Sequence, residues 1–280
     1  MDEATRTLLS GLQLFLVDQD GTVYLGEELL PGARRFFELL AGHGRDYLFL
    51  SNNSSRDAGS YVAKLSRLGL PVTPRQVMTS GDATTGFLAA RMPGARLFLL
   101  GTPSLEGEFS RAGFTLVQEP ASPATVDAVV LGFDRTLTYR KLEIAARLLL
   151  AGLPYFATHA DLVCPTLDGP IPDAGSMIAL LQQSTGRKPQ VIGKPEPRLV
   201  RLAMERFGRT VGETAVIGDR LYTDMEMGHR AGITSLLVLS GETKELSPGG
   251  DPRVTLSFAN LGELAEALEE VWAPATLAQR

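Results

Sequence analysis

The sequence predicts an α/β protein with a doubly wound parallel-sheet core and a second α/β domain inserted into it. Short apolar runs without polar alternation recur along the chain, and segments with helical periodicity separate them. Such runs are typical of parallel strands that are buried on both faces and joined by right-handed crossovers. A long middle stretch repeats the same pattern on its own, which indicates a second domain within the first.

The core elements are predicted in chain order from these two patterns. The first apolar run, residues 12–17, stops at an Asp-rich turn, and residues 31–40 follow with helical periodicity. The remaining core elements are predicted as strands at 46–50, 214–217, 235–239 and 254–258, and as helices at 57–68 and 261–271.

The middle of the chain has its own alternation of strands and helices. Strands are predicted at 96–100, 126–131 and 154–157, and helices at 105–112, 139–151 and 174–183. A stretch of this length is too long for a loop in a compact domain. We therefore predict a core of residues 1–80 and 186–280, an inserted domain of residues 81–185, which is called the cap below, and hinges at 82–84 and 184–187.

Composition and charge restrict the class of protein. The chain has 280 residues, 44% of them hydrophobic, and a net charge of -5. This charge argues against nucleic acid or an anionic membrane as a partner. The single cysteine, Cys164, excludes an internal disulfide framework and a Cys-rich zinc site. No signal peptide and no apolar run of membrane-spanning length are present, so we expect a cytoplasmic protein.

The first candidate site is the turn Asp18-Gln19-Asp20-Gly21-Thr22, directly after the first predicted strand. Two carboxylates one residue apart repel each other unless a cation or a shared proton compensates them. Gly21 allows a positive φ and a close approach to a ligand. The alternative is a turn in which Asp caps a helix. This motif alone does not decide between the two.

Two further candidates are polar groups suited to an anion. Ser51 ends a predicted strand and is followed by Asn52 and Asn53, so a hydroxyl and backbone N–H groups are available for phosphate oxygens. The alternative is an ordinary Ser/Asn turn. Lys194 precedes Pro195, which is predicted to open a helix. A cation there opposes the helix dipole unless an anion is close, and the alternative is a solvated surface lysine.

Asp219 and Asp224 are the last candidates, after the predicted strand 214–217. A carboxylate is a hard oxygen ligand suited to magnesium, and the alternative is a capping residue with a surface acid. Three of the four candidate sites thus follow apolar strands, and the fourth is predicted to open a helix. Since the carboxyl ends of neighbouring parallel strands share one crevice, we expect these groups to act together.

At these residues the sequence resembles the haloacid dehalogenase (HAD) superfamily of phosphohydrolases, which have a Rossmann-like core. The four ordered motifs of that superfamily match at residues 18–22, Ser51, Lys194 and residues 218–224. The segments SNNSSR, IGKPEP and GDRLYTDMEMG are similar to the NagD-like or p-nitrophenyl phosphatase branch. That branch has a large subclass IIA cap between the second and third motifs, where the inserted segment is predicted here.

The resemblance implies a role for each acid. Asp18 would attack phosphorus and form an aspartyl-phosphate, and Asp20 would be the general acid and base. Magnesium would be bound by Asp18, by the main-chain carbonyl of Asp20 and by Asp219. Asp224 would support the metal shell or bind the ion through water.

The same resemblance implies how the phosphate is held. Ser51, with the neighbouring Asn52 and Asn53, would bind the phosphoryl oxygens. Lys194 would bind substrate and balance the charge on the phosphate and on Asp18. Magnesium and Lys194 would thus gather the positive charge that a carboxylate needs to attack a phosphate dianion.

The cap loop that begins at His159 stands where this branch reads its substrate. Asp161 and Cys164 are candidate substrate-binding residues in it. Some relatives, including pyridoxal phosphatases, carry a His at the place of Cys164, so their specificity does not transfer. The alternatives are a satisfied loop histidine at His159, a turn residue at Asp161 and a small core residue at Cys164.

The resulting hypothesis is a magnesium-dependent phosphatase for small phosphorylated metabolites. Two alternatives remain open: a phosphotransferase or mutase that uses the same intermediate, and a catalytically silent phosphate-binding module. The resemblance makes a homodimer plausible. The identity of the phosphate ester stays open.

Overall fold

The computed structural model describes residues 1–164, 166 and 168–273. The strands are β1 Leu14–Asp18, β2 Tyr24–Leu25, β3 Glu28–Leu29, β4 Asp46–Ser51, β5 Val77–Thr79, β6 Arg96–Leu100, β7 Thr115–Leu116, β8 Ala128–Leu131, β9 Tyr155–Ala157, β10 Val163–Cys164, β11 Ile171–Pro172, β12 Gln190–Val191, β13 Thr214–Gly218, β14 Thr234–Val238 and β15 Leu256–Phe258. The α-helices are α1 Glu3–Gly11, α2 Ala33–Gly42, α3 Ala58–Arg67, α4 Ser80–Ala89, α5 Pro103–Arg111, α6 Tyr139–Leu150, α7 Ala174–Thr185, α8 Arg198–Phe207, α9 Glu226–Ala231 and α10 Leu261–Trp272.

The chain forms two compact units. Unit 1 consists of Met1–Leu50, Lys64–Gln76 and Val200–Arg280. The last of these ranges is described as far as residue 273. Unit 2 consists of Ser51–Ala63 and Val77–Leu199. The predicted cap, residues 81–185, lies wholly within unit 2.

Five parallel strands of unit 1 are hydrogen-bonded in the order β15-β14-β13-β1-β4. All residues of β13 and β14 are buried, as are the apolar residues of β1. Strands without an exposed face are those that the non-alternating apolar runs predict. The predicted α/β class with a parallel sheet is confirmed.

Aromatic side chains link β1 of unit 1 to two helices. Phe15 on β1 makes edge-to-face contacts with Phe36 of α2 and with Trp272 of α10, at centroid distances of 5.9 and 6.1 Å. Aromatic pairs in this geometry favour packing beyond the area they bury. They pack β1, which ends at Asp18, against both helices.

Unit 2 contains a second parallel sheet, in the order β12-β9-β8-β6-β7, and an antiparallel hairpin of β10 and β11. Its core joins residues of β6, β8 and β9 to α6 and α7, with Phe98, Val129, Leu148 and Leu181 among its buried members. The sequence did not predict β7 and β12, because two-residue strands leave no pattern to detect.

Side-chain hydrogen bonds explain where several helices begin. The predicted helix at 57–68 starts one residue later, because Asp57 accepts a hydrogen bond from the Ser60 N–H at its N-terminus. Conversely, α5 begins two residues earlier than predicted, with Thr102 as its N-cap and Pro103 in its first turn. In the described part of the chain, no helix is long and apolar enough to cross a membrane.

Candidate active site

Three carboxylates converge in unit 1. One oxygen each from Asp18, Asp219 and Asp224 lies within 4.8 Å of the other two. Asp18 ends β1, and Asp219 directly follows β13, the strand that pairs with β1 in parallel. Asp224 belongs to the π-helical turn Leu221–Met225 and is fully buried. Of the predicted site residues, the structure thus brings Asp18, Asp219 and Asp224 together.

Three glycines make room for these carboxylates. A Cβ atom at Gly21 or Gly241 would collide with the Asp219 carboxylate, and a Cβ at Gly218 would collide with the Asp224 side chain. Gly21 also has a φ of +87°, in the region that favours glycine. The backbone is therefore shaped to let two carboxylates lie against it.

Asp219 carries an electrostatic conflict in this arrangement. Its Oδ2 accepts a hydrogen bond from the Glu242 N–H at 2.6 Å, whereas its buried Oδ1 has no partner among the described residues. Burial, and then the charges of Asp18 and Asp224, raise the pKa of Asp219 to about 7. A divalent cation would relieve this repulsion. Hard carboxylate oxygens with one oxygen unpaired fit the ligand preference of Mg²⁺.

The turn after β1 is held from two sides. The Gly21 N–H donates to the Tyr24 carbonyl at 2.9 Å, and the Ser240 hydroxyl donates to the Gly21 carbonyl at 2.8 Å. Asp20 forms an isolated bridge with Tyr24 inside this turn. The side chain of Asp20 is not one of the three converging carboxylates. Its predicted role as acid, base and carbonyl ligand stays a prediction.

Ser51 lies at the end of β4 and is buried. Its hydroxyl donates to the Tyr61 hydroxyl at 3.1 Å and accepts the Asn53 N–H at 3.2 Å. The Asn53 Oδ1 in turn accepts the N–H and the hydroxyl of Ser55. These bonds fix the turn after the strand, and the predicted phosphate contacts of Ser51 and Asn53 stay predictions.

Asn52, Asp161 and Lys194 are joined by side-chain hydrogen bonds within unit 2. The Asn52 Nδ2 donates to the Asp161 Oδ1 at 3.0 Å and to the Lys194 carbonyl at 3.1 Å. The Lys194 N–H donates to the Asn52 Oδ1 at 2.9 Å. Lys194 is 3% exposed, so the alternative of a solvated surface lysine is wrong.

The helix that was predicted to open at Pro195 begins later. The segment forms a turn in which the Glu196 N–H donates to the Gly193 carbonyl at 2.9 Å, and α8 starts at Arg198. Pro197 disfavours the helical conformation for the residue before it, which delays the helix. The prediction that Lys194 lies at a helix N-terminus is therefore wrong, and its place is set by the turn.

His159 is a fully buried, satisfied histidine. Its Nε2 lies 2.9 Å from the Asp173 Oδ1, and its Nδ1 lies 2.9 Å from the Thr158 hydroxyl. The Thr158 hydroxyl also lies 3.0 Å from the Ser54 hydroxyl, which accepts the Phe133 N–H. This buried chain ties the cap loop to the segment after Ser51.

Cys164 is half-buried in the hairpin, where it pairs with Ile171. It is therefore not a fully buried core residue, which was the alternative to a substrate contact. The predicted contacts of Asp161 and Cys164 with substrate stay predictions.

Comparisons with known proteins agree with these motifs. Residues 15–115 match the model of a family described as haloacid dehalogenase-like hydrolase, and residues 191–264 match a second HAD-hydrolase-like model. The acid sugar phosphatase of Staphylococcus aureus is 33% identical over 257 residues, which cover 91% of this chain and 98% of that protein.

Solved structures are similar over the same length. The 4-nitrophenylphosphatase of Thermotoga maritima is 44% identical, with a TM-score of 0.87 and coverage of 93% of this chain and 99% of that one. The chain belongs to the haloacid dehalogenase-like hydrolases. A glycerol phosphate phosphatase of Mycobacterium tuberculosis, solved with magnesium, is 34% identical, with a TM-score of 0.83 and coverage of 92% and 78%. The predicted HAD superfamily and its p-nitrophenyl phosphatase branch are confirmed.

Some residues that shape this HAD hydrolase site were not singled out from the sequence. Gly241 and Glu242 follow the end of β14, next to β13, and so meet Asp219. The apolar run at 235–239 stops at Ser240-Gly241, and this strand end was the sequence signal that could have pointed to the two residues. Glycine and glutamate are both common in loops after strands, so this signal did not distinguish Gly241 and Glu242 from ordinary loop residues.

Proposed function

We propose that this HAD hydrolase is a magnesium-dependent phosphatase that hydrolyses small phosphate monoesters with Asp18 as nucleophile. The observation that carries the proposal is the group of three carboxylates at Asp18, Asp219 and Asp224. A nucleophilic carboxylate beside two further buried acids is the arrangement that metal-assisted phosphoryl transfer requires. Relatives that cover nearly the whole chain are named phosphatases.

The metal would be held by the carboxylates of Asp18, Asp219 and Asp224. The unpaired buried Oδ1 of Asp219 and the raised pKa of that acid support such a site. When bound, magnesium supplies positive charge that lets a carboxylate approach a phosphate dianion. The relative from M. tuberculosis was solved in complex with magnesium.

The chain's own residues carry the reaction in two steps. In the first, an oxygen of Asp18 bonds to phosphorus while the bond to the alcohol oxygen breaks, and Asp20 gives that oxygen a proton. In the second, Asp20 takes a proton from water, whose oxygen bonds to phosphorus as the acyl-phosphate bond breaks. The products are the alcohol, inorganic phosphate and free Asp18. Ser51 and Lys194 bind the phosphoryl oxygens in this proposal.

The proposed substrate class is based on the substrates that appear in the names of the relatives. Their names specify a nitrophenyl ester, acid sugars and glycerol phosphate, which share a small phosphate monoester. We assign the reading of the ester group to the loop with Asp161 and Cys164. A homodimer and a cytoplasmic location remain part of the proposal.

The test is phosphate release from p-nitrophenyl phosphate with and without magnesium. We expect wild-type turnover only with the metal, and Asp18→Asn to lose at least about 1,000-fold in kcat/KM. Asp127→Asn, at an exposed ion pair with Arg96, is the matched control and should keep its activity. Wild-type activity in Asp18→Asn would refute the nucleophile.

Excess glycerol as an acceptor separates hydrolysis from transfer. The proposal predicts inorganic phosphate as the main product. Glycerol phosphate in its place would identify a phosphotransferase. Binding of phosphate without turnover of any ester in a metabolite panel would identify a silent binding module.

A further inference from the structure

We infer that Asn52 is a positioning residue, which fixes the backbone of Lys194 and ties the Asp161 loop to it, and that its side chain does not bind the phosphate. This inference rests on the proposed function, because it assigns Lys194 to that site. It concerns residues of unit 2 that lie far apart in sequence and meet through one amide.

The Asn52 side chain pairs with Lys194 as a neighbouring strand would. Its Oδ1 accepts the Lys194 N–H at 2.9 Å, and its Nδ2 donates to the Lys194 carbonyl at 3.1 Å. One planar amide thus satisfies both backbone polar groups of the same residue. Two bonds to one residue fix its rotation as well as its position, which a single bond cannot do.

The orientation of the Asn52 amide is determined by its surroundings. In the reversed orientation, Oδ1 would face the Asp161 carboxylate and the Lys194 carbonyl, and Nδ2 would face the Lys194 N–H. Each of the three contacts would then set acceptor against acceptor or donor against donor. Only the observed orientation satisfies all three.

The hydrogen atoms of this amide are both used inside the protein. One is donated to the Lys194 carbonyl and the other to the Asp161 Oδ1 at 3.0 Å. A phosphate oxygen needs a donor, and an amide nitrogen has only two hydrogens. The Asn52 side chain therefore has no hydrogen to give to phosphate while these bonds are made.

The surroundings of Asn52 leave it little freedom to turn away. Its side chain is buried, and its backbone carbonyl accepts a hydrogen bond from the Ser80 hydroxyl at 2.5 Å. A Cβ at Gly193 would lie 2.7 Å from the Asn52 Oδ1 and 2.5 Å from the Thr158 carbonyl. The absence of a side chain at Gly193 thus permits the close approach of Asn52 to the Lys194 backbone.

The third bond connects two tasks in the proposed site. Lys194 balances the charge of the phosphate, and the loop with Asp161 reads the ester group. Because Asn52 binds both, a change at Asn52 alters the position of the lysine and the attachment of that loop together. A positioning residue of this kind affects turnover through Lys194 and not through a contact of its own.

Hydrogen exchange at single backbone amides tests the clamp without any assay of activity. In Asn52→Ala, the Lys194 amide should exchange at least about 10-fold faster. The Ile192 N–H donates to the Ala157 carbonyl, and the Gly193 N–H donates to the Thr158 carbonyl. These two amides do not depend on Asn52 and should keep their protection. Asp161→Ala is the matched control, since it removes the third bond and keeps both bonds between the Asn52 amide and the Lys194 backbone, so the Lys194 amide should stay protected.

A double-mutant cycle on p-nitrophenyl phosphate tests how Asn52 affects turnover. We expect Asn52→Ala to lower kcat/KM about 10- to 100-fold, and to cost less than about 2-fold in a Lys194→Ala background. Equal losses in both backgrounds would overturn the inference, as would unchanged exchange at the Lys194 amide. If Lys194→Ala has no measurable turnover, the exchange comparison decides alone.

Two further variants separate positioning from folding. Asn260→Ala also removes an asparagine that accepts two backbone N–H groups, at the start of α10, and should keep full activity. If Asn52→Ala does not fold, Asn52→Asp keeps the shape and the acceptor for the Lys194 N–H. In Asn52→Asp the Lys194 amide should stay protected, whereas activity should fall because the two bonds that the Asn52 Nδ2 donates are lost. A wild-type kcat/KM in Asn52→Asp would overturn the inference. Failure of the proposed function appears differently, as a wild type without turnover.

Discussion

The backbone N–H of Glu242 donates a hydrogen bond to the Asp219 Oδ2 at 2.6 Å, although these residues follow different strands. The residue before Glu242 is Gly241, whose Cα lies against the same carboxylate. The carboxyl ends of two adjacent parallel strands thus enclose one acid. This contact leaves no space for a side chain at position 241.

Gly241→Ala is therefore expected to disable the site. The added Cβ would collide with the Asp219 carboxylate, which would have to move away from Asp18 and Asp224. We expect a loss of at least about 100-fold in kcat/KM for p-nitrophenyl phosphate and a higher magnesium requirement. Gly11→Ala, where a Cβ meets nothing within 4 Å, is the control. Wild-type kinetics in Gly241→Ala would contradict this account of the cradle.

Asp219→Asn tests the charge conflict through stability. Since the raised pKa of Asp219 comes from burial and from Asp18 and Asp224, its ionised form opposes folding when no metal is bound. The variant keeps an acceptor for the Glu242 N–H and removes one charge. In EDTA at pH 8 we expect it to unfold at a higher temperature than the wild type, by a few degrees.

Magnesium should reverse the order of these two proteins. A ligand that binds only the folded state raises the melting temperature, so the wild type should gain stability with added magnesium. Asp219→Asn should gain little, because its site has lost a charged ligand. Thermal unfolding with EDTA and with a magnesium series measures both effects. An equal gain in both proteins would exclude Asp219 as a ligand, and Asp127→Asn should behave as the wild type does.

The positions of Asp18 and Asp219 were predictable because each follows an apolar run, and parallel strands place such ends at one edge. The role of Asn52 was not predictable in the same way. An asparagine after a strand has the same appearance in sequence whether its amide binds phosphate or a backbone. The distinction depends on Lys194, which lies far away in sequence and approaches Asn52 only in the folded chain.

The burial of Glu108 also escaped prediction, for a related reason. In the sequence of α5, Glu108 has the same appearance as an exposed acid of a helix. Its burial arises from contact with α4, where a Cβ at Gly81 would lie 2.8 Å from the Glu108 Oε2. The 8% exposure of Glu108 becomes apparent only when the packing between the two helices is known. Sequence periodicity describes one element at a time and does not contain that information.

Glu108→Gln is expected to make the protein less sensitive to alkaline pH. Burial, and then the Asp82 carboxylate, raise the pKa of Glu108 from 4.5 to about 8. Both of its oxygens are buried, and a side-chain hydrogen bond with Asp82 contributes to the raised pKa. The folded state therefore holds the proton more tightly than the unfolded chain does. The stabilisation that comes from protonated Glu108 is complete below pH 4.5 and is lost as the pH rises through about 8.

The variant removes this titration and leaves the rest of the protein unchanged. We expect the free energy of unfolding of Glu108→Gln, relative to the wild type, to rise on the order of 2–4 kcal/mol between pH 5 and pH 9. Urea unfolding at one-unit pH intervals measures this difference, in which other titrating groups cancel. Glu38→Gln, the same change at an exposed position of α2, should show no such rise. A difference that stays constant over this range would mean that Glu108 is ionised in the folded protein.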